Sequence, residues 1–213
     1  MRIAIAGGHG QIARLLARHL ATAGHHPVAL IRKPEQAADV EIDGSQALVI
    51  DLEKTDDAAL AEALTGCDAV VFAAGSGPGS TAERKMSVDR DGAILLADAA
   101  VQAGIHRYVL LSSRGADTFD PDSDDIFQVY LRAKSEADAA VRAHDDLAWT
   151  IVRPGGLTDD EPTGSVTIGD NVDGSIPRAD VAHLIAHLLE SGAGIGQQFE
   201  VISGETPIGD AVS

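Results

Sequence analysis

The sequence is poor in aromatic residues and in cysteine, and it contains no long apolar run. Aromatic residues make up 3% of the 213 positions while hydrophobic residues make up 45%, so we expect a core of aliphatic side chains. The single cysteine, Cys67, has no partner for an internal disulfide, which is typical of a reducing compartment. No segment has the roughly 18 to 20 apolar residues that a membrane span requires.

Basic side chains are also scarce. Sixteen lysines and arginines stand against 33 acids, which gives a formal net charge of −17. Such a field repels nucleic acid and anionic membranes, so we expect neither as a partner. The first residues read directly as a strand and not as a signal peptide. We therefore expect a cytoplasmic monomer or homodimer that acts on a small molecule.

The first residues predict a strand, a glycine turn and a helix. An apolar run at 3–6 stops at Gly7, and apolar residues then recur at helical spacing. Gly7 lets the chain leave the strand, and Gly10 lets the backbone approach a pyrophosphate closely. The helix N-terminus then faces the phosphates. The predicted phosphate-binding residues are Gly7, His9, Gly10, Gln11 and Ile12, with His9 contributing only its backbone.

The residues that follow the second predicted strand, at 28–31, indicate which dinucleotide binds. NAD sites usually carry an acid near this point for the ribose hydroxyl, whereas NADP sites carry a base. Here the strand ends in Arg32 and Lys33. Two adjacent bases in so acidic a chain favour NADP(H). A pair of solvated bases in a loop is the alternative, and NAD(H) stays open.

Strands and helices alternate along the chain at intervals of 20 to 30 residues, which predicts an α/β fold: a doubly wound parallel sheet of the Rossmann type in one domain, 1–213. The segments 157–180 and 203–213 are expected on the substrate side or as a tail, with a short edge strand at 165–168. Other strands are expected at 47–50, 69–75, 107–113, 149–152 and 199–202. Helices are expected at 56–64, 87–103, 126–143 and 180–189.

In such a sheet, ligands bind beyond the carboxyl ends of the strands, where the strand order reverses. Small residues at the end of the fourth strand, 73–75, fit a backbone that passes close to a cofactor. Several candidate residues follow strands on this same edge: Gly7, Arg32, Asp51, Gly75, Ser113 and Gly155.

Tyr130 and Lys134 lie one turn apart on a predicted helix, on the same face. A phenol is a weak acid at neutral pH, and an ammonium about 4 Å away stabilises the phenolate by about 4 kcal/mol at an effective dielectric of about 20. Tyr130 would thus be a usable proton donor. Ser113 would polarise a substrate carbonyl, with Ser112 as the alternative, because neighbouring residues on a strand face opposite sides. A tyrosine and a lysine at this spacing also occur by chance.

No metal site is expected. His183 and His187 have the spacing of metal ligands, with Asp180 a turn earlier, but they lie on the flank of a helix that packs through other residues. The aspartates between 117 and 125 lack the order of a calcium loop, and a solvated loop is the better interpretation.

These motifs together resemble the short-chain dehydrogenase/reductase superfamily, in particular its atypical NAD(P)-binding members, often labelled sugar epimerases or epimerase/dehydratases. The resemblance runs from residue 1 to about 190 and is carried by GGHGQIAR, DLEK, VFAAG, VDRDGA, YVLLSS, YLRAKSEAD and TIVRPGGL. It implies that Asp51 and Leu52 lie at the adenine. It further implies contacts along the dinucleotide from Ala73, Ala74 and Gly75, a triad of Ser113, Tyr130 and Lys134, and a nicotinamide site at Pro154, Gly155, Gly156 and Leu157. Lys134 is expected to serve the cofactor as well.

The sequence departs from the family pattern at two positions. Asp89 stands where many relatives carry Asn, which puts an Asn-dependent proton relay in doubt, and Ala13 replaces the third glycine of the turn. Three functions stay open. The first is NADPH-dependent reduction of a small, uncharged carbonyl or quinone-like compound. The second is a non-catalytic module that reports the redox state of NADP(H) to a protein partner. The third is an NAD-dependent sugar epimerase or dehydratase, which the short chain after the sixth strand disfavours.

Overall fold

The first strand and helix adopt the predicted arrangement in the computed structural model, which describes residues 1–213. Strand β1, Arg2–Ala6, is buried on both faces: Ile3 and Ile5 pack into one core, and Ala4 and Ala6 into the other. A strand covered on both sides carries a continuous apolar run, as this one does. Helix α1, Gln11–Thr22, begins directly after the glycine turn.

The chain contains eleven strands and eight α-helices. The strands after β1 are β2 His26–Ile31, β3 Gln46–Val49, β4 Ala69–Phe72, β5 Arg107–Leu111, β6 Ala148–Pro154, β7 Gly156–Thr158, β8 Ser165–Gly169, β9 Ser175–Pro177, β10 Gln197–Ser203 and β11 Thr206–Pro207. The helices after α1 are α2 Ala37–Ile42, α3 Asp57–Ala63, α4 Ala82–Arg84, α5 Gly92–Gln102, α6 Ile126–Arg142, α7 Arg178–Ser191 and α8 Ile208–Ala211.

Nine strands form one sheet in the order β11-β8-β10-β6-β5-β4-β1-β2-β3. The seven strands from β10 to β3 are parallel. The chain runs outward from β1 to β3 and then returns to the other side of β1 with β4, so the strand order reverses between β1 and β4. The prediction of a doubly wound, mostly parallel sheet in a single domain is confirmed.

The sheet is extended on one side by two antiparallel strands. Strand β8 pairs with β10, and the short β11 then pairs with β8 and becomes the edge. The strand predicted at 165–168 therefore exists, but it is an internal strand and not the edge. Strands β7 and β9 form a separate parallel pair, and the tail after Gly204 adds β11 and α8; the sequence pattern predicted none of these.

Helices cover both faces of the sheet. One face packs against α1 and α7, whose side chains share a core with Ile3, Ile5 and Val201. The other face packs against α3, α5 and α6, around Phe72, Leu96 and Tyr108. No helix combines the length and the apolar character that crossing a bilayer demands.

The helix predicted at 87–103 begins earlier and is not uniform. Helix α4 continues without a break into a π-helical turn, Lys85–Asp91, and then into α5. Such wide turns insert extra residues into a helix and are frequent at functional sites. This one directs Lys85, Ser87 and Asp89 toward the edge of the sheet that carries the site.

A buried carboxylate anchors α1 to the loop that follows α2. Asp43 is 4% exposed and accepts hydrogen bonds from the Nε atoms of Arg14 and Arg18 on α1. Burial by itself would raise the pKa of Asp43, but the two arginines outweigh burial and hold the pKa below its usual value. These contacts hold α1, whose N-terminus follows the glycine turn, against the loop after α2.

We predict that Asp43→Asn lowers the free energy of unfolding by about 1–3 kcal/mol at about pH 7, because two charge-assisted hydrogen bonds are weakened. The folded-state pKa of Asp43 is depressed. Its ionised carboxylate therefore contributes its full share to the free energy of unfolding above the unfolded-state pKa, and this share is lost as the pH falls through the folded-state pKa. Urea titrations of the wild type and the variant at about pH 7 and about pH 3 should therefore show a smaller difference between their free energies of unfolding at the lower pH. A difference that stays constant with pH would contradict this role.

Candidate functional site

A cleft of about 300 Å³ lies across the carboxyl ends of β1, β2, β3 and β4. Nine of the predicted cofactor residues line it: Gly7, His9, Gly10, Arg32, Asp51, Leu52, Ala73, Ala74 and Gly75. Sequence reasoning missed Leu30, Ile31, Gln36, Ile50, Glu53, Ser76, Arg84 and Val88, which also line it. The cleft spans the point where the strand order reverses, which is where open α/β sheets bind their ligands.

The glycine turn passes very close to the loop after β4. Gly7 has a φ of +73°, and a Cβ added there would lie 2.5 Å from the Cα of Ala74, so both the backbone shape and the space require glycine. Gly10 has ordinary dihedral angles, φ −67° and ψ 153°. A Cβ at Gly10 would lie 3.1 Å from the carbonyl oxygen of Gly7. Gly10 is therefore constrained less by the fold than Gly7 is.

The remaining residues of the turn have distinct surroundings. The Nε2 of His9 lies 2.8 Å from a carboxylate oxygen of Asp39 on α2. The side chain of Ile12 is buried in the core, so only its backbone faces outward. Gln11 is exposed, and its amide approaches the Oδ1 of Asp159 at 3.5 Å, the same oxygen that accepts a hydrogen bond from Arg178.

The two bases after β2 point to different neighbours. Arg32 lines the cleft, and its Nη1 lies 3.9 Å from the Oε2 of Glu53. The ammonium of Lys33 lies 3.8 Å from Glu35, and Lys33 is not among the residues that line the cleft. Only one of the two predicted bases is therefore brought to the cleft wall.

Asp51, at the end of β3, is held in its ionised form. Burial alone would raise its pKa, but the side chain of Lys54 and the backbone N–H of Glu53 outweigh burial and lower the pKa. The Nζ of Lys54 lies 3.1 Å from Asp51 Oδ2. Asp51 therefore presents a charged acceptor to the cleft.

Tyr130 and Lys134 lie on the same side of α6, as predicted, and a second lysine joins them. The Nζ of Lys134 lies 5.9 Å from the centroid of the Tyr130 ring, and the Nζ of Lys85 lies 5.0 Å from it. Lys85 comes from the π-helical turn and also donates to the carbonyl of Gly77. The phenol ring thus has two ammonium groups nearby, of which the sequence spacing identified one.

Lys134 connects this ring to the cleft. Its Nζ is buried, donates to the carbonyl of Leu111 at the end of β5 and lies 3.5 Å from Asp89 Oδ1. The other oxygen of Asp89 accepts a hydrogen bond of 3.1 Å from the backbone N–H of Ser76, which lines the cleft. Each carboxylate oxygen of Asp89 therefore has a partner within the protein.

The two candidate serines differ in their environment. Ser112 is 4% exposed, and its hydroxyl donates to Asp138 inside the protein. Ser113 is half-buried, and its hydroxyl donates to the carbonyl of Arg114 at 3.2 Å. Of the two, only Ser113 has a hydroxyl that a ligand can reach without breaking the buried contact.

The RPGGL segment is held by an ion-pair network in which Arg153 and Asp138 are buried and Asp117 is exposed. Arg153, 5% exposed, donates to Asp138 on α6 and to Asp117 in the loop after β5. Burial is the main reason that the pKa of Asp138 is raised, while Arg153 lowers the pKa of Asp117. Breaking one partner of such a buried pair costs about 3–5 kcal/mol. This network fixes the end of β6 against α6.

The residues after Arg153 lead from the end of β6 into strand β7. Pro154 ends β6, and Gly155 packs so tightly that a Cβ there would lie 2.4 Å from the carbonyl oxygen of Gly174. Gly156 and Leu157 begin strand β7, and Leu157 is 38% exposed. These four residues do not line the cleft itself.

Acidic and histidine clusters elsewhere have structural contacts. Asp125 caps α6, and Asp180 accepts hydrogen bonds from the backbone N–H groups of Thr163 and Gly164. The ring of His183 lies 4.7 Å from that of His19, and burial lowers the pKa of His183. No group of three or more metal-binding side chains comes together.

Comparison with known proteins agrees with this geometry. The family described as NAD(P)H-binding matches residues 7–192. The uncharacterized sugar epimerase YhfK of Bacillus subtilis is 34% identical over all of this chain and 99% of its own length. A solved structure from Bacillus halodurans, assigned to the NAD-dependent epimerases/dehydratases, is 39% identical, with a TM-score of 0.89 over 98% of this chain and 97% of its own. The oxidoreductase ylbE of Lactococcus lactis is 31% identical, with a TM-score of 0.87 over 99% and 94% of the two chains.

The family match covers most of the chain, and the relatives align over nearly their whole length. The chain therefore belongs to the NAD(P)H-binding family, whose model matches residues 7–192.

Proposed function

We propose that the protein is an NADPH-dependent reductase of small, uncharged carbonyl or quinone-like compounds. When bound, the reduced cofactor supplies the hydride. Tyr130 would donate the proton to the carbonyl oxygen, Ser113 would polarise that carbonyl, and Lys134 would support the phenolate that Tyr130 becomes. The cofactor would lie along the cleft, with its adenosine end at Arg32, Asp51 and Leu52.

The observation that carries this proposal is the surroundings of the Tyr130 ring. Two ammonium groups, from Lys85 and Lys134, lie 5.0 and 5.9 Å from its centroid. Positive charge beside a phenol stabilises the negative charge that develops on its oxygen when the proton leaves. Asp89 offsets part of the charge of Lys134, whereas Lys85 has no carboxylate at salt-bridge distance. This arrangement suits a phenol that releases a proton.

The substrate class follows from the apolar surface beside Tyr130. Phe127, one turn earlier on α6, is 60% exposed and stacks on the Tyr130 ring with centroids 6.1 Å apart. Exposed aromatic rings favour flat, apolar ligands, since they stack and bury surface together. The loop directly before α6 also carries exposed carboxylates, among them Asp120, Asp122 and Asp124, which disfavour a phosphorylated substrate beside this helix. Both features favour a quinone-like compound over a nucleotide sugar.

We predict that Tyr130→Phe lowers kcat for NADPH-dependent quinone reduction by about 100-fold or more, since general acid catalysis contributes about 10²–10⁴-fold. The dissociation constant of NADPH should change by less than about twofold, because the ring is kept. Steady-state rates over a panel of quinones and carbonyls, with NADPH titrations, measure both quantities.

The matched control is Tyr108→Phe, which removes the only other phenol in the chain. Tyr108 is buried, and its hydroxyl donates to the carbonyl of Ala93, so this variant should lose stability and keep its turnover. Full activity in Tyr130→Phe would refute the assignment of the proton donor. Tight NADPH binding by the wild type without turnover on any compound would instead favour the non-catalytic sensing module.

We predict that Gly10→Ala weakens binding of both NADPH and NADH by at least about tenfold, because its methyl group would occupy the space over which the pyrophosphate passes. The backbone angles of Gly10 suit alanine, so the thermal midpoint should fall by only a few degrees. Gly209→Ala, in the exposed helix α8 with no atom within 4 Å of the added Cβ, is the control and should leave binding unchanged. Wild-type affinity in Gly10→Ala would mean that the phosphates bind elsewhere.

A further inference from the structure

The adenosine end of the cleft contains two arginines with a carboxylate held between them. Glu53 follows β3, and its Oε2 lies 3.2 Å from the Nε of Arg84 and 3.9 Å from the Nη1 of Arg32. Its Oε1 accepts a hydrogen bond of 2.7 Å from the hydroxyl of Ser87. Donors from two separate segments, the end of β2 and the continuous helix that holds Arg84 and Ser87, therefore converge on one carboxylate that lines the cleft.

Arg84 is an equally well-defined part of this group. It belongs to α4, directly before the π-helical turn, and its Nη1 donates to the carbonyl of Ser76 at 3.0 Å. Both Arg84 and Ser76 line the cleft. The guanidinium is therefore held at the cleft wall by a backbone carbonyl on one side and by Glu53 on the other.

The charges at this end of the cleft balance. Arg32 and Arg84 contribute two positive charges, and Asp51 and Glu53 contribute two negative charges. A dianionic phosphate that enters this space must draw guanidinium groups away from Glu53, and it meets a carboxylate of like charge. A ribose hydroxyl that enters the same space meets a ready hydrogen-bond acceptor, as in sites that prefer NAD.

We propose that Glu53 sets the dinucleotide preference of this protein by occupying the arginine pair in place of the 2′-phosphate of NADP(H). This inference rests on the proposed function, because it takes the cleft as the cofactor site. The carboxylate lowers the affinity for NADP(H) and accepts a hydroxyl hydrogen bond from NAD(H). The site should therefore prefer NADP(H) over NAD(H) less strongly than it would with the two arginines and no carboxylate between them.

The test is Glu53→Gln, which keeps the size of the side chain and one acceptor oxygen, removes the charge and replaces the second acceptor with an amide donor. We expect the affinity for NADP⁺ to rise about tenfold while the affinity for NAD⁺ changes by less than about threefold. Calorimetric titrations with NADP⁺, NAD⁺, 2′,5′-ADP and ADP measure this without any turnover. The ratio of 2′,5′-ADP affinity to ADP affinity should rise by the same factor, because these fragments contain only the adenosine end of the dinucleotide.

Three further variants make the result specific. Glu62→Gln changes the net charge by the same amount at an exposed position of α3, and it should leave the ratio of NADP⁺ to NAD⁺ affinity unchanged. Adding Arg84→Met to Glu53→Gln should reverse most of the gain for NADP⁺. Should Glu53→Gln fold poorly, Glu53→Ala removes the carboxylate altogether and should shift the ratio in the same direction.

The outcomes separate this inference from the proposed function. If the wild type binds NADP⁺ and the ratio does not change in Glu53→Gln, the role of Glu53 is wrong and the reductase proposal stands. If the wild type binds neither dinucleotide, both are wrong. A tenfold shift toward NADP⁺ that is absent from Glu62→Gln supports the role of Glu53.

Discussion

The site depends on the close approach of two loops at the point where the strand order reverses. The turn after β1 and the loop after β4 touch so closely that a Cβ on Gly7 would meet the backbone of Ala74 at 2.5 Å. Only a residue without a side chain permits this contact. The approach brings the N-terminus of α1 and the small residues after β4 to the same cleft, whose other wall is formed by Arg32 and Asp51.

Helix α6 imposes a second constraint, because its side chains contact the ends of both β5 and β6. Tyr130, Lys134 and Asp138 follow one another at four-residue intervals along this helix and so share one face. Lys134 reaches the end of β5 and Asp89, while Asp138 binds Arg153 at the end of β6. The same helix thus links the Tyr130 ring, through Lys134 and Asp89, to Ser76 in the cleft, and it fixes the RPGGL segment. Polar groups buried this deeply are stable mainly when they are paired. Lys134 is paired with the Leu111 carbonyl and with Asp89. The Oδ2 of Asp138 accepts from Ser112 and Arg153, whereas its Oδ1 has no hydrogen-bond partner.

Much of the architecture could be predicted from local sequence pattern. The buried strands have continuous apolar runs, and the glycine turn follows the first of them directly, so both the sheet and the position of the cleft were predictable. Strand β8 was predicted as a strand, but its antiparallel internal position, strand β11 and the small β7–β9 pair were not predictable. These strands are two to five residues long and partly exposed, and their pairing depends on distant strands.

The same contrast applies to the site. The glycine turn and the Tyr130–Lys134 spacing lie within single elements, so periodicity reveals them. The contacts of Glu53 with Arg84 and of Arg153 with Asp117 join residues more than 30 positions apart, and neither pair carries a local pattern. Lys85 was equally hidden, because the π-helical turn that directs it toward Tyr130 does not follow ordinary helical spacing. Sequence therefore predicted more of the residues that line the cleft than of the charged contacts around it.

The most direct test of the account is a crystal structure of the protein with NADP⁺. We expect the pyrophosphate at the N-terminus of α1 beside Gly10, the 2′-phosphate at Arg32, and the nicotinamide on the side of Tyr130 and Leu157. A dinucleotide bound with its nicotinamide remote from Tyr130, or crystals that stay without nucleotide at saturating concentrations, would contradict it.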